Sequence, residues 1–288
     1  MRSIYKHNIN QDSIGETVTV AGWVSKRRDH GGVIFIDLRI SNNIIQAVFN
    51  PEHKDSFVIA ERLRSEYVVE VSGIVRERSK DNINKNLTSG NVEIVVDKIK
   101  LLNESKTPPF SINDLSVNED QRLKYRYMDM RGEQLQKNIR LRSKLIESIR
   151  NFFYSRDFID IETPILTKTT PEGARDYLVP SRVHPGEFFA LPQSPQIFKQ
   201  TLMIGGINKY FQIARCFRDE DLRAYRQPEF TQLDVEIAFA NEETVSSLIE
   251  NLFKKIFKDI LQKDIKNFEK ISYFDALEKY GCDKPDLR

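Results

Sequence analysis

The sequence predicts a multidomain chain with a small β-barrel first and an α+β domain, an antiparallel sheet with helices, after it. Three observations predict this: strand-like runs fill the first hundred residues, a polar segment with two prolines follows, and long helix-patterned runs come later. At 288 residues the chain can bury two hydrophobic cores. We expect a barrel over residues 1–104, a hinge over 105–132 and a second domain over 133–288.

Five strand-like runs make up the first part, with one helix-like segment between the third and the fourth. This order favours an OB-fold barrel, which is a common nucleic-acid platform, and a sandwich-like arrangement is the alternative. The runs are Thr17–Arg28, Val33–Ile40, Ile44–Phe49, Tyr67–Arg78 and Val92–Leu102, with the helix at Asp55–Leu63.

The second strand-like run alternates between two faces. Ile34, Ile36 and Leu38 point one way, whereas Phe35 points to the face that carries charge. An exposed ring beside the basic run 26–28 fits base stacking combined with phosphate contacts. The alternative is that Phe35 covers a small accessory cluster and the arginines only solvate the rim.

Two polar residues on neighbouring strands extend this candidate nucleic-acid surface. Gln46 on the third strand and Glu93 on the fifth are placed to reach base edges. The polar loop 79–90, which is rich in asparagine, fits either a mobile binding loop or an ordinary long hairpin.

Composition excludes several classes of protein. Charged residues make up 30% of the chain but the net charge is only +2, which argues against a histone-like non-specific binder. Cys216 and Cys282 form no CxxC pair, so we expect a reducing compartment and no zinc site. The first residues lack a signal-peptide pattern, and no apolar run reaches membrane-spanning length. We therefore expect a cytoplasmic protein without a membrane partner.

The second half combines helical patterns with short strands. Gln134–Arg156 is helical, and the strand-like Phe158–Ile161 after it is closed by Pro164. A long helix with an edge strand fits either ordinary core or the seam of a two-fold dimer. Farther along, Val245–Leu261 keeps strict helical spacing, which predicts a core-facing helix.

The most chemically loaded stretch is Cys216–Glu236, which is flanked by the strand-like runs Tyr210–Ala214 and Leu233–Phe239. Arginine offers bidentate donors to phosphate, and carboxylates beside it hold Mg²⁺. The pattern therefore favours a nucleotide triphosphate site over a solvated hairpin tip. Its polar residues are Arg218, Asp219, Glu220, Asp221, Arg223, Arg226, Gln227 and Glu229.

Two segments before this stretch carry further candidates. Glu172, beside Gly173, belongs either to a charged turn or to a loop that closes over a small zwitterionic ligand. Ser194 fits a helix N-cap. Gln196 and Lys199 in the same segment fit contacts with an amino or carboxylate group of a ligand, and the pattern alone leaves both interpretations open.

The runs EGARDY, QSPQIFKQ and FRDEDLRAYRQPEFTQLD, in this order, resemble the bacterial-type aspartyl-tRNA synthetases, a family of class II aminoacyl-tRNA synthetases. The similarity covers essentially the whole chain, although asparaginyl and lysyl enzymes share the architecture. It implies a partial class II catalytic domain with motifs 1 and 2, in which Arg140–Thr167 forms motif 1 and the seam of a homodimer. It also implies activation of L-aspartate with ATP and Mg²⁺, followed by transfer to tRNA(Asp).

The resemblance implies roles for individual residues. Arg218 is the catalytic residue, which contacts the substrate carboxylate and the α-phosphate of ATP. Aspartate binding is implied for Glu172, Ser194, Gln196, Lys199 and Arg218. ATP binding is implied for Arg218, Asp219, Glu220 and Gln227. Anticodon binding is implied for Arg28, Phe35, Gln46 and Glu93, with the Phe35 ring stacked on a base.

One histidine bears on the choice of tRNA. Bacterial enzymes that also charge tRNA(Asn) often carry histidine at the position of His30, whereas those restricted to tRNA(Asp) often carry leucine. Charging of tRNA(Asn) is therefore a further expectation, and a neutral loop residue is the alternative.

Two features depart from the family pattern. Motif 3 is not found, and with it are missing the carboxylates for Mg²⁺, so no metal ligands are expected in this portion. Tyr225 stands where the family usually has aspartate. We therefore expect the front portion of a longer enzyme that is not competent by itself. The alternatives are a non-catalytic anticodon-binding module, a degenerate paralogue, or a charging enzyme for another amino acid.

Overall fold

The computed structural model describes residues 5–6, 8–40, 43–85, 87–114, 116–223 and 226–287. Tyr225 lies outside these residues. The chain divides into two compact units, Met1–Asn138 and Ile139–Arg288. The three predicted domain ranges stay predictions. No helix in the described ranges has the length and apolar character needed to cross a membrane.

The first unit contains five strands and one helix in the predicted order. They are β1 Thr17–His30, β2 Val33–Ile40, β3 Asn43–Phe49, α1 Lys54–Arg62, β4 Val68–Glu77 and β5 Val92–Asn103. The strands close into a barrel in the order β1-β2-β3-β5-β4, with β3 and β5 parallel and the other pairs antiparallel. The barrel prediction is confirmed.

Alternation along the strands builds the barrel core. On β2 the side chains of Ile34, Ile36, Leu38 and Ile40 are buried, and the residues between them are partly exposed. β-branched residues suit such a pleated, half-buried surface. Each fully buried aliphatic side chain contributes about 1.5–3 kcal/mol relative to exposure. The same alternation leaves the opposite face of β2 available for polar groups.

Two short helices, α2 Glu119–Lys124 and α3 Arg126–Asp129, follow the barrel. The Asn118 side chain caps α2 by accepting a hydrogen bond from the backbone N–H of Gln121, at 2.9 Å. Asp129 accepts hydrogen bonds from Arg122 and Arg126, one from each helix. These contacts hold the two helices together.

The remaining elements are α4 Glu133–Tyr154, β6 Ile159–Asp160, β7 Leu178–Pro180, β8 Phe188–Ala190, α5 Gln196–Ile204, β9 Lys209–Phe217, β10 Glu229–Ile237, α6 Glu242–Leu261 and α7 Tyr273–Tyr280. One sheet has the order β10-β9-β6, in which β10 is antiparallel and β6 parallel to β9. β7 and β8 form a separate antiparallel hairpin.

Aromatic side chains form the core of the second unit. The Phe153 ring stacks on Phe211 at 4.8 Å between centroids, so α4 packs on β9. Leu252 of α6 is buried in the same cluster, which confirms a core-facing stripe on that helix. Val245 and Phe253 are 44% and 45% exposed, so only part of the predicted apolar face is covered.

The strands around the charged stretch differ from the predicted runs. β9 extends to Phe217, and β10 already begins at Glu229 and ends before Phe239. Arg215 and Glu229 form an ion pair beside the ladder, so charged residues continue the strands instead of ending them. Phe239 has a φ of 58° and is fully exposed in the turn after β10.

Candidate functional site

A row of polar residues crosses four neighbouring strands of the barrel. Asp37 on β2 lies directly opposite Gln46 on β3. Glu93 on β5 lies opposite Gln46 on one side and opposite Arg76 on β4 on the other. Directly opposite residues share one face of a sheet. We call these four residues, together with Arg28, the polar row.

Hydrogen bonds connect the polar row from end to end. Arg28 Nη2 donates to Asp37 Oδ1 at 2.5 Å and to Gln46 Oε1 at 3.2 Å. Gln46 Nε2 donates to Glu93 Oε2 at 2.8 Å. Arg76 Nε donates to Glu93 Oε1 at 2.7 Å. Three of the four predicted anticodon residues, Arg28, Gln46 and Glu93, are thus brought into one network.

The fourth predicted residue, Phe35, lies directly opposite Arg28 in the β1–β2 register. The residue is partly exposed, as an exposed ring requires. The His30 ring meets the Phe35 ring edge-on at 6.3 Å between centroids. His30 itself is exposed at the end of β1. A histidine and a phenylalanine therefore stand together beside the polar row.

Arg78 is a residue that the sequence reasoning missed. Its side chain is only 4% exposed, its Nε donates to the Val92 carbonyl at 3.0 Å, and Glu93 lies 3.9 Å away. Burial lowers the pKa of Arg78. The negative charge of Glu93 opposes this shift without cancelling it, so the pKa stays below its ordinary value. Its Nη2 has no hydrogen-bond partner among the described residues. The available signal was the run Arg-Glu-Arg at 76–78, at the rim of the barrel.

In the second unit, the loop between β9 and β10 carries the predicted ATP-binding residues. The backbone N–H of Arg218 donates to the Pro228 carbonyl at 2.9 Å, and its guanidinium lies 5.1 Å from the Phe230 ring centroid. Glu220 lies 3.5 Å from Arg226. Asp219 and Gln227 are exposed in this loop. Arg218 is therefore held at the base of the loop by its backbone hydrogen bond and by the Phe230 ring.

The loop around Glu172 is tied to the segment before α5. Ser194 Oγ donates to the Glu172 carboxylate, with distances of 3.0 and 3.2 Å to its two oxygens. The N-cap of α5 is Pro195, so the alternative in which Ser194 caps this helix is wrong. A serine that donates to a carboxylate across 22 residues joins two predicted site residues directly.

Gln193 is a second residue that the sequence reasoning missed. Its side chain is buried, accepts from the backbone N–H of Ala174 at 3.1 Å and donates to the Ala174 carbonyl at 2.9 Å. It also donates to Asp176. Arg175, which lies between Ala174 and Asp176, accepts a hydrogen bond at its carbonyl from the Asp219 N–H at 3.0 Å. The loop is thus fixed to both the α5 segment and the β9–β10 hairpin.

Lys199 reaches from α5 to two acids on β10. Its Nζ lies 3.0 Å from Asp234 Oδ1 and 3.3 Å from Glu236 Oε2. Burial alone lowers the pKa of Lys199, but hydrogen bonds and charge from the two acids outweigh it and raise the pKa overall. Asp234 and Glu236 were missed, although acids two residues apart on a strand share a face. Asp234 Oδ2 is buried and unpartnered among the described atoms.

Several of these charges act on the Cys216 thiol. The pKa of Cys216 is raised to about 11, first by burial and then by the negative charges of Asp234 and Glu172, and the Arg218 charge opposes this shift. Gln196 and Gln227 make no hydrogen bond to these groups within the part of the chain that the structure describes.

A resident metal ion would need a cluster of suitable ligands. The described residues contain no group of three or more His, Cys, Asp or Glu side chains that could hold one.

Comparison with known proteins gives two family matches. Residues 118–288 match the family described as tRNA synthetases class II (D, K and N), and residues 18–102 match the OB-fold nucleic acid binding domain. Over its full length the chain is 56% identical to an aspartate–tRNA(Asp/Asn) ligase of Legionella pneumophila strain Corby and to one of Endomicrobium trichonymphae. It spans 49% and 50% of these relatives, about half their length.

Solved structures share the fold. An aspartyl-tRNA synthetase from Entamoeba histolytica has a TM-score of 0.79 at 23% identity, with 100% of this chain and 66% of that chain covered. An asparaginyl-tRNA synthetase from Pyrococcus horikoshii has a TM-score of 0.79 at 24% identity, with 90% and 58% covered. The barrel, the β9–β10 hairpin and these matches agree. The chain belongs to the class II tRNA synthetases of the D, K and N group.

Proposed function

We propose that the chain provides the anticodon-binding barrel and the motif 1 and motif 2 part of an aspartate–tRNA ligase. The observation that carries this proposal is that hydrogen bonds tie the Glu172 loop both to Ser194, before α5, and to the β9–β10 hairpin that carries Arg218. Support also comes from the 56% identical relatives, which are named aspartate–tRNA(Asp/Asn) ligases. Its substrates are L-aspartate, ATP with its Mg²⁺, and tRNA(Asp), and its compartment is the cytoplasm.

In the first step an oxygen of the aspartate α-carboxylate attacks the α-phosphorus of ATP. A new P–O bond forms, the bond to the β-phosphate oxygen breaks, and pyrophosphate leaves with that electron pair. A tRNA ribose hydroxyl then attacks the activated carbonyl, and AMP departs. Neither step needs a protein nucleophile, so catalysis rests on positioning and on charge stabilisation.

Arg218 is the group that neutralises negative charge at the α-phosphate. Its guanidinium is held over Phe230, so it is oriented before substrate binds. Glu220 and Gln227 on the same hairpin, with Asp219, complete the proposed ATP contacts. Mg²⁺ accompanies the triphosphate as part of the substrate and supplies charge neutralisation at its outer phosphates.

The amino acid is proposed to bind between α5 and the Glu172 loop. Lys199 supplies positive charge, which suits an acidic amino acid, and Gln196 begins the same helix. Ser194 and Glu172 are already hydrogen-bonded, so the loop is poised beside this helix.

The tRNA partner is proposed to dock on the polar row. Arg28, Gln46 and Glu93 offer hydrogen bonds to base edges, and Phe35 offers a stacking surface. Two observations favour tRNA(Asn) as a second substrate: His30 lies beside Phe35, and the names of the relatives include both Asp and Asn.

A homodimer through motif 1 is part of the proposal. α4 and β6 expose large apolar side chains, which are unfavourable in water and suit a contact with a second copy. Ile139, Leu141 and Tyr154 are 51%, 47% and 51% exposed, and Ile159 is 48% exposed.

ATP–pyrophosphate exchange by a complete enzyme that contains this chain tests the proposal. Exchange that depends on aspartate, and not on asparagine or lysine, is the expected result. Arg218→Ala should lower it by about 10²–10³, whereas Arg223→Ala, an exposed arginine of the same loop, should retain most of it. Exchange driven by another amino acid, absence of exchange by the complete enzyme, or near-normal exchange by Arg218→Ala would each count against the assignment.

A further inference from the structure

Asp37 is a member of the polar row to which the proposed function gives no role. Its side chain is 16% exposed and accepts from Arg28 Nη2 at 2.5 Å. The same nitrogen donates to Gln46 Oε1 at 3.2 Å. Asp37 and Gln46 are also direct cross-strand partners. One carboxylate therefore fixes the guanidinium that in turn contacts the Gln46 amide.

The two ends of the Gln46 amide are fixed by chemistry. Arginine is a donor only, so the amide oxygen must face Arg28, and an ionised carboxylate is an acceptor only, so the amide nitrogen must face Glu93. The amide oxygen can accept one further hydrogen bond, and the amide nitrogen can donate one further hydrogen bond. The amide thus presents one acceptor and one donor in a fixed order, which is what discrimination between base edges requires.

We propose that Asp37 is a positioning residue that sets base selectivity on the barrel. Resting on the proposed function, this inference names the ligand as an unpaired RNA base read by the Gln46 amide. Asp37 holds Arg28 in place, and Arg28 prevents the amide from turning over. Without Asp37 the Arg28 fork is free to rotate, and the amide can present its donor and acceptor in either order.

The sign of the effect separates positioning from bulk electrostatics. Removing a carboxylate from an RNA-binding face lowers repulsion of phosphates, so affinity for every RNA rises. Loss of positioning instead weakens binding of the correct base and spares that of wrong bases. The ratio of the two affinities therefore reports positioning, and the common change in affinity reports charge.

Asp29 provides a matched control. It lies on β1 next to Arg28, is 53% exposed, and its nearest cation is Arg27 at 3.9 Å. Asp29→Asn removes the same charge from the same end of the barrel, and within the described ranges Asp29 forms no ion pair with the polar row.

The test uses the full chain and a set of RNA hairpins. The set contains the anticodon stem-loop of tRNA(Asp) and versions of it in which one anticodon base is replaced. Fluorescence anisotropy gives the dissociation constants for wild type, Asp37→Asn, Asp37→Ser and Asp29→Asn. We expect both Asp37 variants to lower the wrong-to-right ratio of dissociation constants about five- to tenfold at one anticodon position. Asp29→Asn should leave that ratio within twofold, and Asp37→Glu should restore part of it.

The outcomes separate this inference from the proposed function. A wild-type chain that binds all hairpins equally contradicts the anticodon role of the barrel and overturns the inference with it. A wild-type chain that discriminates, together with Asp37 variants that discriminate equally well, overturns the inference alone. A rise in affinity for all hairpins at an unchanged ratio assigns Asp37 to bulk electrostatics and likewise overturns it.

Discussion

Lys199 and Asp234 form a buried ion pair in which the ammonium nitrogen lies 3.0 Å from the carboxylate. The two side chains are 13% and 9% exposed, so solvent screens the pair only weakly. Glu236 lies 3.3 Å from the same nitrogen but is 33% exposed. One cation is shared by a buried acid and a more exposed acid, and the two acids contribute unequally to stability.

Asp234→Asn should therefore destabilise the chain more than Glu236→Gln. Breaking a buried pair costs about 3–5 kcal/mol when a charge is left alone. Because Glu236 stays beside Lys199, we expect about 2 kcal/mol for Asp234→Asn and less than about 1 kcal/mol for Glu236→Gln. Urea unfolding at neutral pH measures both. Equal losses of unfolding free energy in the two variants would show that the buried Asp234 stabilises the chain no more than the more exposed Glu236.

The same pair predicts a pH dependence with a definite sign. The folded pKa of Lys199 lies above its ordinary value of 10.5, so the folded state holds this proton more tightly than the unfolded state. The stabilisation is fully present below the unfolded pKa and is lost as pH rises through the folded pKa. Unfolding free energy should fall across this alkaline window, and less steeply in Lys199→Met. Identical slopes for the two proteins would refute the assignment.

Glu66 combines an unusual backbone with two ion pairs. Its φ is 67°, its side chain is 2% exposed, and its carboxylate accepts from Arg39 at 2.5 Å and from Arg131. Glu66→Ala and Glu66→Gly both lose these bonds, but only glycine adopts a left-handed backbone without strain. We expect the glycine variant to be more stable than the alanine variant by about 1 kcal/mol. Denaturant unfolding of the same two substitutions at Ser65, which has no positive φ, should show the opposite order, with the alanine variant more stable than the glycine variant.

The barrel was predictable because its signal is local. Apolar residues at every second position of β2 predict both the strand and its buried face, and the strand in the structure has the predicted bounds. The sequence prediction starts this strand, β10, too late, at Leu233, because most residues of Glu229–Gln232 are polar and the prediction follows the more apolar run after them. The Arg215–Glu229 ion pair across the hairpin, which continues both strands, depends on pairing that a single sequence does not display.

The site was predictable residue by residue but not as a network. Arg218 and Lys199 were identified from motif resemblance, whereas the acids that hold Lys199 follow from the way α5 packs on β10. Gln193 was missed because its side-chain amide forms hydrogen bonds with the backbone of a loop that lies 19 residues earlier in the chain. Cross-strand register likewise aligned Gln46 with Glu93, which lie 47 residues apart. Long-range pairing supplied what local pattern could not.

Gly73 marks a close approach between β4 and β5. A Cβ at this position would lie 2.0 Å from the Val95 carbonyl oxygen, at a register shift between Ser72 and Gly73. Because the obstacle is backbone, Gly73→Ala should cost at least about 2 kcal/mol in unfolding free energy. Gly173→Ala has no atom within 4 Å and no positive φ, so it should change stability by less than about 0.5 kcal/mol. Thermal and denaturant unfolding of the two variants make the comparison, and a mild Gly73→Ala would mean that the strands separate locally.

The two cysteines should differ sharply in reactivity. Cys216 is buried and its pKa is raised to about 11, whereas Cys282 is exposed. The thiolate is the reactive form, so at about pH 8 the folded chain should show one fast thiol towards an aromatic disulfide reagent and a second only after unfolding. Cys282→Ser should abolish the fast phase, and Cys216→Ser should leave it unchanged. Two fast thiols in the folded protein would put Cys216 in contact with solvent and contradict its burial.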